Sequence, residues 1–110
     1  MFPRFLCFLI LLLVASAQVR SATVYVDVGD GFYSPDNLTV GVGDTVVWDV
    51  HHGGHTVTAS DGTFDSSGGT QPPTVLPVGA RYAFTFQNVG VYPYSSRTDG
   101  PGMKGTITVQ

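Results

Sequence analysis

All three histidines of the chain fall within the stretch WDVHHGGHTV, residues 48–57. Neutral imidazole is the commonest nitrogen ligand for copper and zinc in proteins. The glycine pair at 53–54 would let His51, His52 and His55 converge on one ion, but a glycine loop does not hold them in place beforehand. The cluster therefore indicates weak metal binding, and an equally simple interpretation makes His51 and His52 solvated loop residues.

A second stretch, YPYSSRTDGPGMKG at residues 92–105, has a composition suited to presenting side chains around one point. Two tyrosines at strand spacing enter a loop rich in glycine and proline, and Met103 closes it. A thioether is a soft ligand that suits copper. The middle of the loop holds only Ser, Arg, Thr and Asp, so it offers oxygen donors and neither a thiolate nor an imidazole.

Serine, histidine and aspartate are also the residue types of a hydrolytic triad, here Ser96 (or Ser95), His55 and Asp99. Triads are defined by their geometry, and they need an oxyanion hole. The sequence has no strand–turn–helix elbow of the kind that presents such a serine. We therefore predict that the chain is not an enzyme.

The elements that must position these residues are predicted to be β-strands. Runs with alternating polarity, rich in Val, Thr, Tyr and Phe, are separated by clusters of Gly, Pro, Asp and Ser, which is typical of an all-β sandwich or barrel. No segment has the pattern of a helix. The predicted strands are Thr23–Val28, Leu38–Val40, Thr45–Val50, His55–Ala59, Tyr82–Phe86, Val91–Ser96 and Gly105–Val109.

Strand alternation also predicts which side chains face the core. Phe84 and Phe86 share one face of their strand, and Ile107 and Val109 share one face of the last strand. Residues 60–80 are rich in Gly, Ser, Thr and Pro and are predicted to form a long surface connection. Four aspartates are predicted to be solvated: Asp27, Asp30, Asp61 and Asp65.

The beginning of the chain is predicted to be a secretory signal peptide. Residues 1–17 combine a basic start, an unbroken apolar run and the small-residue site Ala15-Ser16-Ala17. Cleavage before Gln18 would leave one domain over residues 18–110, secreted into an extracellular or periplasmic space and without a membrane span. It would also remove Cys7, the only cysteine. In such a compartment Asn37-Leu38-Thr39 is a possible N-glycosylation acceptor, depending on the source.

The charge of this domain argues against a nucleic-acid partner. Residues 18–110 carry eight aspartates against four basic side chains, a net charge of −4. A mildly acidic domain without a basic patch has no electrostatic footprint for a phosphate backbone. We expect a monomer whose partner is an unidentified protein or surface.

Taken in order, several short motifs resemble a known family. They are FYSP at 32–35, LTV at 38–40, GDTVVW at 43–48, HTV at 55–57, FD at 64–65, RYAFTF at 81–86, GVYPY at 90–94 and GMKGTITV at 102–109. The ordered set resembles the cupredoxins of the plastocyanin type, which include halocyanin and pseudoazurin, over nearly all of residues 23–109. The resemblance implies a Greek-key β-sandwich of about seven to eight strands. It also implies a mononuclear copper site at one end, which carries single electrons between proteins.

The family's type 1 copper is held by two histidines, a cysteine thiolate and an axial methionine. The resemblance matches the first histidine to His55 and the methionine to Met103. Counting back from Met103 places the cysteine and second histidine at Ser95 and Thr98, whereas counting forward from the glycine at position 90 places them at Ser96 and Asp99. Strand phase favours the second register, because the side chain at 96 shares a face with the two tyrosines. In both registers the thiolate and the second histidine are missing.

Two hypotheses follow. The first is a secreted cupredoxin-fold protein with a degenerate type 1 site and no bound copper, which acts as a non-redox binding or structural module. The second is a copper-binding or electron-transfer protein with an atypical, weak, histidine-rich site. Its ligands would come from His51, His52 and His55, together with Asp99 and Met103.

Overall fold

Runs of alternating apolar and polar residues form eight β-strands in the computed structural model, which describes residues 21–110. The predicted signal peptide at 1–17 and Cys7 lie outside the described residues. One short 3-10 helix, Gly100–Gly102, interrupts the last loop. The strands are β1 Thr23–Val28, β2 Tyr33–Ser34, β3 Asn37–Val40, β4 Thr45–Val50, β5 Thr58–Ala59, β6 Arg81–Thr85, β7 Gly90–Ser95 and β8 Lys104–Val109.

The strands form two four-stranded sheets that face each other. One sheet has the order β2-β1-β4-β6, and the other has the order β3-β8-β7-β5. Each sheet is mixed, because β1 pairs with β4 and β3 pairs with β8 in parallel while the remaining pairs are antiparallel. The prediction of an all-β sandwich of seven to eight strands is confirmed.

Aromatic side chains fill the space between the sheets. Trp48 on β4 is fully buried and packs against Tyr94 of β7 and Phe64, with 5.4 Å between ring centroids in both pairs. Phe86, Ile107 and Val109 are buried, and Phe84 is half-buried, as strand alternation predicts. The core therefore joins the two sheets mainly through rings of β4, β7 and the segment that follows β5.

The strand predicted at His55–Ala59 is wrong over its first three residues. Only Thr58 and Ala59 pair with β7. The N–H of Thr56 donates to the Ser96 hydroxyl at 3.1 Å, and the N–H of Val57 donates to the Ser66 hydroxyl at 2.8 Å. Because side chains satisfy these backbone donors, the segment from His55 to Val57 is buried without belonging to a sheet.

The long connection at residues 60–80 also departs from prediction, since part of it belongs to the interior. Phe64 and Ser67 are buried. Asp65, predicted to be solvated, is half-buried, and its carboxylate accepts hydrogen bonds from the hydroxyls of Thr58 and Ser67. These bonds hold the pKa of Asp65 below its ordinary value even though burial acts to raise it. Asp27, Asp30 and Asp61 are exposed, as predicted.

Two further features concern the surface. Asn37, the possible glycosylation acceptor, is exposed on β3, which lies at a sheet edge. Strand β2 was not predicted, because two residues are too few to show alternation; it pairs with the end of β1. Among residues 21–110, no helix is long and apolar enough to cross a membrane.

The contact between Tyr94 and Gly105 gives a test of this core. The two residues are partners in the β7–β8 pairing, and a Cβ at Gly105 would lie 2.5 Å from the Tyr94 ring. The ring cannot retreat, because Tyr94 is fully buried against Trp48. Gly105→Ala should therefore lower the free energy of unfolding by about 1–3 kcal/mol, the usual cost of overpacking. Gly102→Ala is the control, since a Cβ there meets nothing within 4 Å. Equal midpoints of the two variants in denaturant unfolding would contradict this packing.

Candidate functional site

Three loops converge at one end of the sandwich: residues 51–57 after β4, residues 75–78, and residues 96–103 between β7 and β8. His55 lies at their centre and is only 4% exposed. Its backbone is held by pairing with Leu76, whose N–H donates to the His55 carbonyl at 2.9 Å. The N–H of Gly54 donates in turn to the Leu76 carbonyl at 3.0 Å. The imidazole thus projects from a fixed backbone.

Ser96 reaches the same point from the end of β7. It continues the inward face of Tyr94 and is 2% exposed. Its N–H donates to the Met103 carbonyl at 3.2 Å, and its hydroxyl accepts from the N–H of Thr56. Ser95 is half-buried and, by alternation, lies on the opposite face of the strand.

Asp99 joins the two sides. One of its carboxylate oxygens, Oδ2, lies 2.6 Å from His55 Nδ1 and accepts a hydrogen bond of 2.6 Å from the Ser96 hydroxyl. The Thr98 hydroxyl lies 2.9 Å from the same oxygen and 2.8 Å from the Gly54 carbonyl, and its single proton serves one of these acceptors at a time. Burial acts to raise the pKa of Asp99, but the hydrogen bonds from Ser96, His55 and Thr98 outweigh it and hold the pKa below its ordinary value.

The other ring nitrogen of His55 has different surroundings. Nε2 is buried and has no hydrogen-bond partner among residues 21–110. Asp30 Oδ1 lies 3.9 Å away, and His52 lies on the same side, with 6.0 Å between the two imidazole centroids. One ligand atom from each of Asp30, His52 and His55 can be chosen so that all three lie within 4.8 Å of one another.

The remaining predicted site residues have different surroundings. Met103 is 1% exposed and belongs to the hydrophobic core. His51 turns away to a separate exposed group, in which its Nε2 lies 3.1 Å from Asp27 and 3.8 Å from Asp49. The three histidines are therefore divided between two clusters. Asp30, which sequence reasoning left among the solvated aspartates, joins the His52–His55 side; because it lies in an irregular loop, no sequence periodicity indicated this.

The distances in the inner cluster do not fit a metal ion between its members. Two ligand atoms that each lie about 2 Å from a tetrahedral ion are about 3.3 Å apart. Asp99 Oδ2 lies only 2.6 Å from both His55 Nδ1 and Ser96 Oγ. These are the lengths of charge-assisted hydrogen bonds. His55, Ser96 and Asp99 thus form a closed hydrogen-bond cluster.

The cluster also lacks the order of a hydrolytic triad. A triad serine bonds to one nitrogen of the imidazole, and the carboxylate bonds to the other. In this structure Ser96 and His55 both bond to the same oxygen of Asp99. The Ser96 hydroxyl therefore donates to the Asp99 carboxylate, and not to the His55 imidazole that would have to activate it.

Comparison with solved structures identifies similar folds. A purple cupredoxin from Nitrosopumilus maritimus is 29% identical to this chain, with a TM-score of 0.61. The alignment covers 79% of this chain and 99% of the cupredoxin. A reduced amicyanin variant is 25% identical to this chain, with a TM-score of 0.63. The alignment covers 87% of this chain and 88% of the amicyanin. Both are similar to this chain over almost the whole length of the described sandwich.

A larger protein contains the same unit. The copper-containing nitrite reductase from Thermus scotoductus is 25% identical over 80% of this chain, with a TM-score of 0.67, and this chain spans only 22% of the reductase. No protein-family model and no curated protein sequence matches the chain. The likeness is therefore carried by the structure.

The Asp99 carboxylate should make stability depend on pH. Because its pKa is lowered in the folded state, its stabilising contribution is present above the 3.8 of an ordinary aspartate and is lost as the pH falls through the folded pKa. Asp99→Asn should lower the free energy of unfolding at neutral pH by about 1.5–3 kcal/mol, the value of hydrogen bonds to a charged group. The difference between the two proteins should shrink in acid.

Denaturant unfolding at a series of pH values measures both effects. Asp36→Asn is the control, because the Asp36 carboxylate has no hydrogen bond or ion pair with other residues of 21–110. A difference between Asp99→Asn and the parent chain that stays constant with pH would contradict a stabilising role of the charged carboxylate.

Proposed function

We propose, from the premise that this chain is a cupredoxin-like protein, that it is a secreted binding or structural module without a type 1 copper centre. It would not carry electrons. The observation that supports this proposal most directly is the closed cluster of His55, Asp99 and Ser96. Its side chains are joined by hydrogen bonds of 2.6 Å.

The chemistry of the donors supports the proposal. In the favoured register Ser96 occupies the cysteine position, and a serine hydroxyl is neutral at pH 7 and a hard oxygen donor. It cannot replace a thiolate towards Cu(I) or produce the intense blue charge-transfer band. Nitrogen and oxygen donors favour Cu(II), which disfavours rapid cycling between oxidation states. Residues 18–110 contain no cysteine that could take over the role.

Exposed apolar side chains beside the site support a partner-binding role. Phe32, in the loop that carries Asp30, is 53% exposed. Val78 is 69% exposed, and its backbone lies against Gly53 in the histidine loop. Contiguous exposed apolar patches rimmed by polar groups are typical of protein-binding surfaces, and these two side chains are the candidates for such a patch. The sequence of residues 1–17 supports export, so the partner would be an extracellular or periplasmic protein or surface.

The alternative, an atypical copper centre built from all three histidines with Asp99 and Met103, has less support. His51 belongs to the Asp27 and Asp49 group. Asp99 already engages Nδ1 of His55. These five residues would need to rearrange before they could share an ion.

Copper titration followed by visible and EPR spectroscopy tests the proposal. Chelator-treated protein of residues 18–110 should develop no intense blue band with Cu(II) and no reversible Cu(I)/Cu(II) couple, because these residues contain no cysteine. A blue band or a reversible couple in the unmodified chain would refute it.

A gain-of-function pair tests the register. Ser96→Cys with Asp99→His should create a blue band, since both side chains would then reach His55 from the positions that now hydrogen-bond around it. Ser95→Cys with Thr98→His is the matched control and should remain without one, because residue 95 lies on the opposite strand face. The reverse result would show that Ser95 and Thr98 mark the lost ligands.

A further inference from the structure

We propose that Asp30, His52 and His55 form a binding site for a divalent transition-metal ion on the outer side of the His55 ring. The ligand atom of His55 would be Nε2, whereas the hydrogen-bond cluster uses Nδ1. The site would therefore be distinct from the inner cluster, and the inference does not depend on the proposed function.

The first observation is an unpartnered buried nitrogen. His55 is 4% exposed, and its Nε2 has no hydrogen-bond partner among residues 21–110. Buried polar side-chain atoms in folded proteins are nearly always paired, so an exception calls for an explanation such as an ion.

The second observation is the state of the ring. A carboxylate can only accept hydrogen bonds, so the proton between His55 and Asp99 belongs to Nδ1. In the neutral imidazole Nε2 then carries a lone pair. What this atom needs is a donor or a cation, and the nearest polar group, the Asp30 carboxylate at 3.9 Å, supplies neither a proton nor a positive charge.

The third observation is that the neighbouring groups are suitable ligands. Asp30 Oδ1 lies 3.9 Å from His55 Nε2 and 3.8 Å from His52 Nδ1. Ligand atoms around a tetrahedral ion are about 3.3 Å apart. Asp30 Oδ1 must therefore move about 0.5 Å closer to each nitrogen, and any pair of ligand atoms as far apart as 4.8 Å must close by about 1.5 Å. The side chains of His52 and Asp30 are 58% and 73% exposed, which leaves both free to move inwards.

Asp99 gives the site the support that metal-bound histidines usually have. Such histidines commonly donate their other ring N–H to a carboxylate, which fixes the tautomer and the ring orientation. The Asp99–His55 hydrogen bond of 2.6 Å already provides this arrangement. Asp99 would be a positioning residue that does not touch the ion.

Two imidazoles and one carboxylate select the class of ion. Among first-row divalent ions this donor set binds Cu(II) most strongly, with Zn(II) also well suited to imidazole. Three protein ligands leave at least one position for water, as in open zinc sites. The ligand is thus a hydrated divalent transition-metal ion.

The neighbouring cluster of Asp27, Asp49 and His51 provides a contrast within the same molecule. Its ligand atoms also lie within 4.8 Å of one another, but no member is buried. His51 Nε2 already has Asp27 at 3.1 Å. None of these three residues has a buried side-chain nitrogen or oxygen that lacks a hydrogen-bond partner. Variants of this cluster are therefore the matched controls.

Calorimetric titration of the chelator-treated chain with Zn²⁺, and with Cu²⁺ in competition with a chelator of known affinity, tests the proposal. We expect one ion per chain. Asp30→Asn and His52→Ala should each weaken binding at least about 10-fold, and Asp99→Asn should weaken it by about 10–100-fold, the usual effect of removing a supporting group. His51→Ala and Asp27→Asn should leave it unchanged. Because His52 and Asp30 are exposed, their substitution should preserve the fold, which circular dichroism can verify.

The nitrogen shifts of the His55 ring provide a second measurement. Zn²⁺ should move the Nε2 resonance more than the Nδ1 resonance, because Nδ1 stays engaged with Asp99. Absence of one-to-one binding, binding insensitive to both His52→Ala and Asp30→Asn, or binding abolished by His51→Ala would overturn the proposal.

Discussion

One carboxylate oxygen holds the end of the sandwich together. Asp99 Oδ2 receives hydrogen bonds from His55 on the loop after β4 and from Ser96 at the end of β7, both at 2.6 Å. Both residues are almost fully buried, and without Asp99 the Nδ1 of His55 would lack a hydrogen-bond partner among residues 21–110. The same serine also accepts from the Thr56 backbone, which lets the segment from His55 to Val57 lie inside without a strand partner. The orientation of the His55 ring and the chemistry of the site follow from this oxygen, whereas the His55 backbone is held by Leu76.

The aromatic core determines where the serine stands. Tyr94 packs over Gly105 and against Trp48, which fixes the position of β7 two residues before Ser96. Beyond the strand, the N–H of Arg97 donates to the Thr56 hydroxyl at 2.9 Å, and its guanidinium donates to the Ser67 hydroxyl at 2.9 Å. The loop therefore leaves the sheet in a defined direction, because it is tied on one side to the histidine loop and on the other to the connection after β5.

The sequence was sufficient for features that rest on alternation or on ordered motifs. The strands from Thr23 to Val28 and from Thr45 to Val50 were predicted with their observed bounds. The sequence also predicted that Tyr94 and Ser96 lie on the same face of their strand, because side chains alternate between faces every residue. Sequence-based prediction failed at Thr56 and Val57, because hydroxyls from distant segments, and not a neighbouring strand, accept their backbone N–H groups. It also failed at Phe64, whose ring is buried in the core although the loop around it is polar. In the site, the approach of Asp30 to His55 depends on two loops meeting, and no local pattern carries that information.

Under the proposed register, in which Ser96 and Asp99 stand at the cysteine and second-histidine positions of the cupredoxins, the two residues complement each other. A thiolate and a neutral imidazole both present lone pairs, and a cation is what brings two such groups together with a second imidazole. A serine hydroxyl presents a proton and an aspartate presents an acceptor, so Ser96 and Asp99 satisfy each other without an ion. Either replacement alone would be unfavourable. Aspartate in place of the histidine would bring a second anion beside the thiolate. Serine in place of the cysteine would leave the copper site without its strongest donor. The pair instead closes the inner side of His55 and directs its remaining lone pair outwards, because a ring whose Nδ1 donates to a carboxylate has only Nε2 left for any other ligand.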